Sequence, residues 1–205
     1  MTAVPTPFPT TPPAPLDSRG PAPYRFTVDQ YYRMAEVGVL PANARVELID
    51  GRILDMSPVS PEHAAAVRRI RLMLSQRFEP TYLILCQDPV RLEEYDEPEP
   101  DLAVLRPRPD GYAHAHPGPD DILLLIEVAV ISRDFDRGDK AQSYAAAGIA
   151  DYWVVDLPGA GVDVFRNPNP EGYRKPQRMA DTTPIVPLAF PEWSVTPQEL
   201  LGTVV

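Results

Sequence analysis

The segment "DILLLIEVAVI", residues 121–131, constrains this chain more than any other. Ile122 to Ile126 form one apolar run and Val128 to Ile131 another, with a single carboxylate, Glu127, between them. A run this short and apolar reads as a strand buried on both faces, the central strand of a sheet covered by helices. An ionised carboxylate left unsatisfied there is costly. Three arrangements relieve the cost: a buried Arg or Lys pairs with it, the strand end lifts it into water, or it binds a cation in a functional site. Buried charges are usually paired or metal-bound, so the first and third carry the weight. The strand alone does not choose between them.

The surrounding elements follow from local chemistry. "FTVDQYYRMAEVGVL" reads as a short helix, with Thr27 and Gln30 at capping-box spacing and Gly38 as its stop. "ARVELIDGRILDMSP" reads as a hairpin around Asp50-Gly51, a favoured two-residue turn. "SPEHAAAVRRIRLMLSQRF" is a helix with Ser60 as N-cap, Pro61 in the first helical position, and an apolar stripe of His63, Val67, Ile70, Leu74 and Phe78. Strands are expected in "TYLILC", "VRLEE", "PDLAVLR" and "DILLLIEVAV", then a helix over "DFDRGDKAQSYAAAG" ending at Gly148. "DYWVVDL" and "VDVFR" are strands around a Pro-Gly turn, and "TPQELL" is a short capped helix. The order implies an α/β or α+β fold, a mixed central β-sheet flanked by helices. The stretch from Ile122 through the Gly148 helix to Val155 has the length of a parallel crossover.

Composition narrows the class. Residues 1–23 are rich in Pro, Thr and Ala and lack the apolar content to fold, so a disordered tail is expected ahead of one domain over residues 24–205. The N-terminus has neither a basic n-region nor a continuous apolar h-region, so no secretory signal is expected. No apolar run approaches the roughly 18 residues of a membrane span. The one cysteine, Cys86, excludes an internal disulfide framework and a cysteine-based zinc site, and a reducing cytoplasm is the simplest setting. A net charge of −10 argues against a general, non-specific nucleic-acid binder. A local basic patch is still compatible with it: Arg68, Arg69 and Arg71 on the second helix are candidates to meet a DNA backbone, or are a solvated face.

A partner for Glu127 lies upstream in "EPEPDLAVLRPRP". Asp101 stands at the mouth of an apolar strand, and an antiparallel return would bring it beside Glu127. Two neighbouring carboxylates repel unless a cation lies between them, and oxygen ligands suit Mg²⁺ or Mn²⁺. Alternatively, Asp101 is a turn residue after proline. Two residues past Glu127, where a strand would aim a second side chain from the same face, stands Ala129. Lys140 lies one turn into the next helix, and its flexible stem can return the ammonium to that place. It could equally be exposed and paired with Asp136. Tyr144, one turn further, could simply pack, and Asp134, Asp136 and Asp139 suit a helix N-terminus structurally.

"VELIDG", "MSPVSPEH", "EPEPDLAVLRPRP" and "LLLIEV…DFDRGDKAQSYAAAGIADYWVVDL" occur in order from about Phe26 onward, and together they resemble the Uma-two family of restriction-type endonucleases, in the PD-(D/E)XK nuclease superfamily. The resemblance implies a restriction-endonuclease-like fold and a Mg²⁺-dependent DNA endonuclease, with Mn²⁺ as substitute and no organic cofactor. It matches Asp101 to the "PD" acid, Glu127 to the "(D/E)" acid and Lys140 to a lysine migrated into the helix. Glu47 matches an upstream acid, a further metal or water ligand, where the residues alone suggest a solvent-facing hairpin position. His63 matches the family's histidine after the "SP" turn, although its place on the apolar stripe also suits a neutral core histidine. Cutting a duplex favours a homodimer with two sites. One departure stands out: Val130 and Ile131 occupy positions where relatives carry a polar pair. Lost polar support of that kind typically costs about 10- to 100-fold. The alternative is therefore a weak or silenced nuclease fold acting as a non-catalytic interaction protein.

Overall fold

The computed structural model describes residues 22–41, 43–180 and 182–202. Most of the expected N-terminal tail, residues 1–21, lies outside them. In chain order the elements are α1 (Val28–Glu36), β1 (Val46–Ile49), β2 (Arg52–Asp55), α2 (Pro61–Phe78), β3 (Leu83–Leu85), β4 (Leu102–Leu105) and β5 (Ile122–Ala129). There follow α3 (Arg133–Phe135), a π-helical turn (Asp136–Lys140), α4 (Ala141–Ala146), β6 (Asp151–Asp156), β7 (Gly161–Arg166), β8 (Pro168–Asn169), β9 (Gly172–Tyr173), β10 (Gln177–Met179) and α5 (Pro197–Leu201).

Six strands form one sheet in the order β10-β7-β6-β5-β4-β3. The long apolar strand β5 is central, antiparallel to β4 and parallel to β6, as its two-sided hydrophobicity requires. Leu102 pairs with Ile126 and Ala103 with Leu125, so Asp101, just before β4, comes opposite Glu127. On one face of the sheet Val67, Ile70, Leu74 and Phe78 of α2 pack against Val104, Leu124, Ile126 and Trp153. Ala141 and Tyr144 of α4 pack with Leu125, Ala129, Tyr152 and Val154 on the other. The architecture is α+β, a mixed six-stranded sheet flanked by helices.

Local signals explain the ends of the elements. Thr27 and Gln30 cap α1 reciprocally, Ser60 accepts the His63 amide at the start of α2, and Thr196 and Glu199 box α5. The β1–β2 turn puts Asp50 and Gly51 at φ +51° and +70°, as a twisted two-residue hairpin demands. A Cβ on Gly51 would also meet Arg25 at 2.5 Å. This hairpin does not join the main sheet. It is tied to the loop before Asp101 by the paired amides and carbonyls of Leu48 and Glu97.

Three expectations are corrected. "VRLEE" forms no regular strand, because its amides fold back onto its own proline-rich loop: Val90 N–H donates to the Pro98 carbonyl and Leu92 N–H to that of Asp96. The helix expected over residues 134–148 is broken into α3, the π turn and α4. Beyond Arg166 the chain adds β8, β9 and β10, which are too short to show a period.

Ile70 is fully buried between α2 and the sheet. Ile70→Ala should destabilise the fold by about 2–5 kcal/mol, read as a lower urea midpoint at unchanged m-value. A loss below about 1 kcal/mol would mean that α2 does not carry this core.

Candidate active site

Glu127 is 3% exposed and has three partners. Its Oε1 accepts from Lys140 Nζ at 3.0 Å and from the Tyr144 hydroxyl at 2.9 Å, while Oε2 accepts the Asp101 amide at 3.1 Å. Asp101 answers across the β4–β5 pairing, its Oδ2 accepting the Val128 amide at 2.9 Å. The same Oδ2 lies 3.0 Å from His63 Nε2, and Oδ1 accepts from the Gln87 side chain at 3.2 Å. Both acids are thus fixed by strand backbone, the most rigid part of the fold.

Lys140 is the hub. It lies 5% exposed, with Glu47 Oε2 at 3.1 Å opposite Glu127. Glu47 comes from β1, buried rather than solvent-facing, and its Oε2 also accepts the Glu99 amide at 3.2 Å. The π turn explains the lysine's reach. Such turns widen a helix locally and are frequent at functional sites. Here the turn buries both Asp136 and Lys140 while Arg137 points the other way, onto Asp163 and Asp156 of the β6–β7 hairpin.

These groups line one cleft of about 200 Å³ at the end of β5. Glu47, Asp55, Glu99, Asp101, Glu127 and Asp136 face only two cations there, Arg45 and Lys140, apart from His63. The imbalance governs the protonation chemistry. Burial, reinforced by Asp101, Asp136 and Glu47 and opposed by Lys140, pushes the Glu127 carboxyl well above the ordinary range. Burial also pushes Asp136 up to about 6, with Asp101 and Glu47 adding to it. Desolvation alone would weaken the Lys140 ammonium, but Glu127, Glu47 and Asp136 outweigh it and keep the lysine firmly charged. Asp101 moves the other way: burial raises it, and the His63 ring and Val128 amide more than offset that. The bond to Asp101 outweighs burial at His63 too, raising the imidazole above its ordinary value.

A surplus of carboxylates calls for a cation. Among the described residues no three His, Cys, Asp or Glu side chains converge into a metal cage. Glu47, Asp101 and Glu127 present carboxylate oxygens, hard donors of the kind that hard divalent cations take.

The structure brings Glu47, His63, Asp101, Glu127 and Lys140 to this one cleft. It does not bring the three arginines there. Arg68 and Arg71 are exposed on the outside of α2, and Arg69 turns to α5, donating to the Leu200 carbonyl at 2.7 Å. Arg69 is thus withdrawn from the expected DNA-facing patch because the C-terminal helix needs a donor for its last carbonyls. The residues alone left Asp136 as an exposed partner of Lys140 or a structural acid at a helix start, gave Tyr144 only a packing role, and did not single out Gln87. Asp136 sits four residues before Lys140, a same-face spacing that could have marked it as inward-facing. Its Oδ2 instead accepts from the Ser132 hydroxyl at 2.6 Å.

Residues 28–198 match the model of the Uma2 family, described as "Putative restriction endonuclease". The chain belongs to this family. A crystal structure from Anabaena variabilis ATCC 29413, described as "a putative nuclease belonging to DUF820", has the same fold. It superposes with a TM-score of 0.67 at 16% identity over 86% of this chain and 98% of that one. No curated protein sequence matches. No helix among the described residues is long and apolar enough to cross a membrane.

Lys140→Met should leave Glu127 and Glu47 buried without their shared cation, costing about 3–5 kcal/mol in metal-free buffer. Urea unfolding in EDTA measures it, and an unchanged midpoint would mean that the lysine does not hold the cluster together.

Proposed function

We propose that this protein is a divalent-metal-dependent DNA endonuclease, with Mg²⁺ as its natural ion and Mn²⁺ as a substitute. The observation that carries the reading is the meeting of Asp101 and Glu127 across β4 and β5, with Lys140 on Glu127, in a cleft where carboxylates outnumber cations. Membership of a family described as restriction endonucleases supports it.

Asp101 and Glu127 would hold the ion, with Glu47 at its border. When bound, such an ion lowers the pKa of a coordinated water and offsets charge on the scissile phosphate. Hydrolysis adds water across one P–O bond: the water oxygen bonds phosphorus, its proton passes to a base, and the leaving sugar oxygen takes up a proton. Lys140 is held as an ammonium by three carboxylates, so it serves as a fixed positive charge for the phosphate and not as the base. Asp136, with its pKa near 6, can take a proton close to neutral pH. His63 holds Asp101 from the α2 side and fixes its orientation. Tyr144 does the same for Glu127.

A second reading, a silenced nuclease fold, draws on the apolar Val130 and Ile131 at the cleft mouth and on the saturation of Glu127 by Lys140 and Tyr144. One set of melts separates the two. The wild type should gain thermal stability with Mn²⁺ and nick DNA, and Glu127→Gln should lose both responses. Its metal-free stability should fall by less than the ~3–5 kcal/mol of a stranded cation, because Glu47 still pairs with Lys140. A wild type blind to Mn²⁺ and inert towards DNA would establish the silenced fold.

A further inference from the structure

We propose that the cleft takes an unpaired nucleotide, so that the substrate is single-stranded DNA and not a continuous duplex; this rests on the nuclease reading above. Met56, Pro58, Val59, Val130, Ile131 and Phe135 line the same cleft as the acids. Ile131 is 81% exposed, the highest value among the exposed large apolar side chains of the described residues, and Val59 is 41% exposed. An isolated exposed isoleucine needs no explanation, but an apolar rim around a polar, acid-lined floor marks a binding surface.

Charge then selects what the rim meets. Proteins that track a duplex do so through several Lys and Arg contacts to phosphates. The cleft supplies Arg45 and Lys140 alone, and Lys140 is already engaged by Glu127 and Glu47. Arg69 is turned away to Leu200, Arg52 is paired with Asp139 and Arg133 with Asp134. The chain as a whole carries −10. A duplex docked here would also press its phosphates against Ile131 and Val59 while its bases stayed stacked out of reach, an unfavourable match of anion and apolar surface.

An unpaired nucleotide resolves both problems. Its base offers a flat apolar face that can lie on Ile131, Val59 and the Phe135 ring, the kind of stacking platform that single-strand binders use. Its single phosphate needs fewer cationic contacts than the two backbones of a duplex, so Arg45, Lys140 and the divalent cation proposed above for Asp101 and Glu127 suffice for it. Val130 and Ile131 thereby become a substrate-binding feature. No second site across a duplex is needed.

The test compares one oligonucleotide as a single strand and as a fully paired duplex, by cleavage with Mn²⁺ and by fluorescence anisotropy with Ca²⁺ in its place. The single strand should be cut and bound at least about tenfold better, and Ile131→Ser should reduce that preference about tenfold, the effect of losing one buried aliphatic side chain. Ile131 is exposed, so the variant should keep the wild-type melting temperature. Equal or better handling of the duplex, or no effect of Ile131→Ser on the single strand, overturns the inference. If Asp101→Asn abolishes that cutting, the nuclease reading survives. Failure to cut or bind either form overturns both.

Discussion

The Lys140–Glu127 pair, at the centre of the sheet, is the interaction on which the rest of this structure depends. A central strand as apolar as β5 tolerates a carboxylate only if something answers the charge, and the answer comes from outside the strand, from a helix that folds back over the sheet. The π turn exists at the point where that helix must deliver an ammonium and a second carboxylate to the same cleft. Arg137, gripping Asp156 and Asp163 from within the turn, holds the delivery in place. The β1–β2 hairpin, outside the main sheet, contributes Glu47 to the other side of the lysine. Three separate segments therefore meet on one cation.

The pair resolves the ambiguity that Glu127 posed in the sequence. Structural ion pair and functional carboxylate were rival readings of one residue; the geometry shows the ion pair, and the cation-binding role proposed above is compatible with it. One lysine cannot neutralise Glu127, Glu47 and Asp136 together, so the cluster stays short of positive charge even with its ion pair intact. That residual deficit distinguishes the site from an ordinary buried salt bridge and favours a second, exogenous cation.

Much of this was legible in the residues, and the reasons are physical. Period-two alternation and the antiparallel return were enough to put Asp101 opposite Glu127, because strand register fixes side-chain position to within a residue. Capping chemistry located the starts of α1, α2 and α5. What could not be read was tertiary. Glu47 sits on a hairpin whose partner strand is half-exposed, and tertiary contacts place it inside: Leu48 pairs with Glu97, the Glu99 amide donates to Glu47, and Lys140 meets its carboxylate. Arg69 looks like its neighbours Arg68 and Arg71 until α5 arrives to claim it. The π turn has no period of its own, so "DRGDK" reads as plain helix, with Asp136 on its surface.

Anomalous diffraction from crystals soaked in Mn²⁺ tests most directly whether Asp101 and Glu127 form a cation site, as proposed, and not solely a structural junction. One strong peak is expected in contact with the carboxylates of both Asp101 and Glu127, absent in Glu127→Gln crystals. Mn²⁺ found only elsewhere on the surface, with Lys140 still closing the cleft at saturating metal, would contradict it.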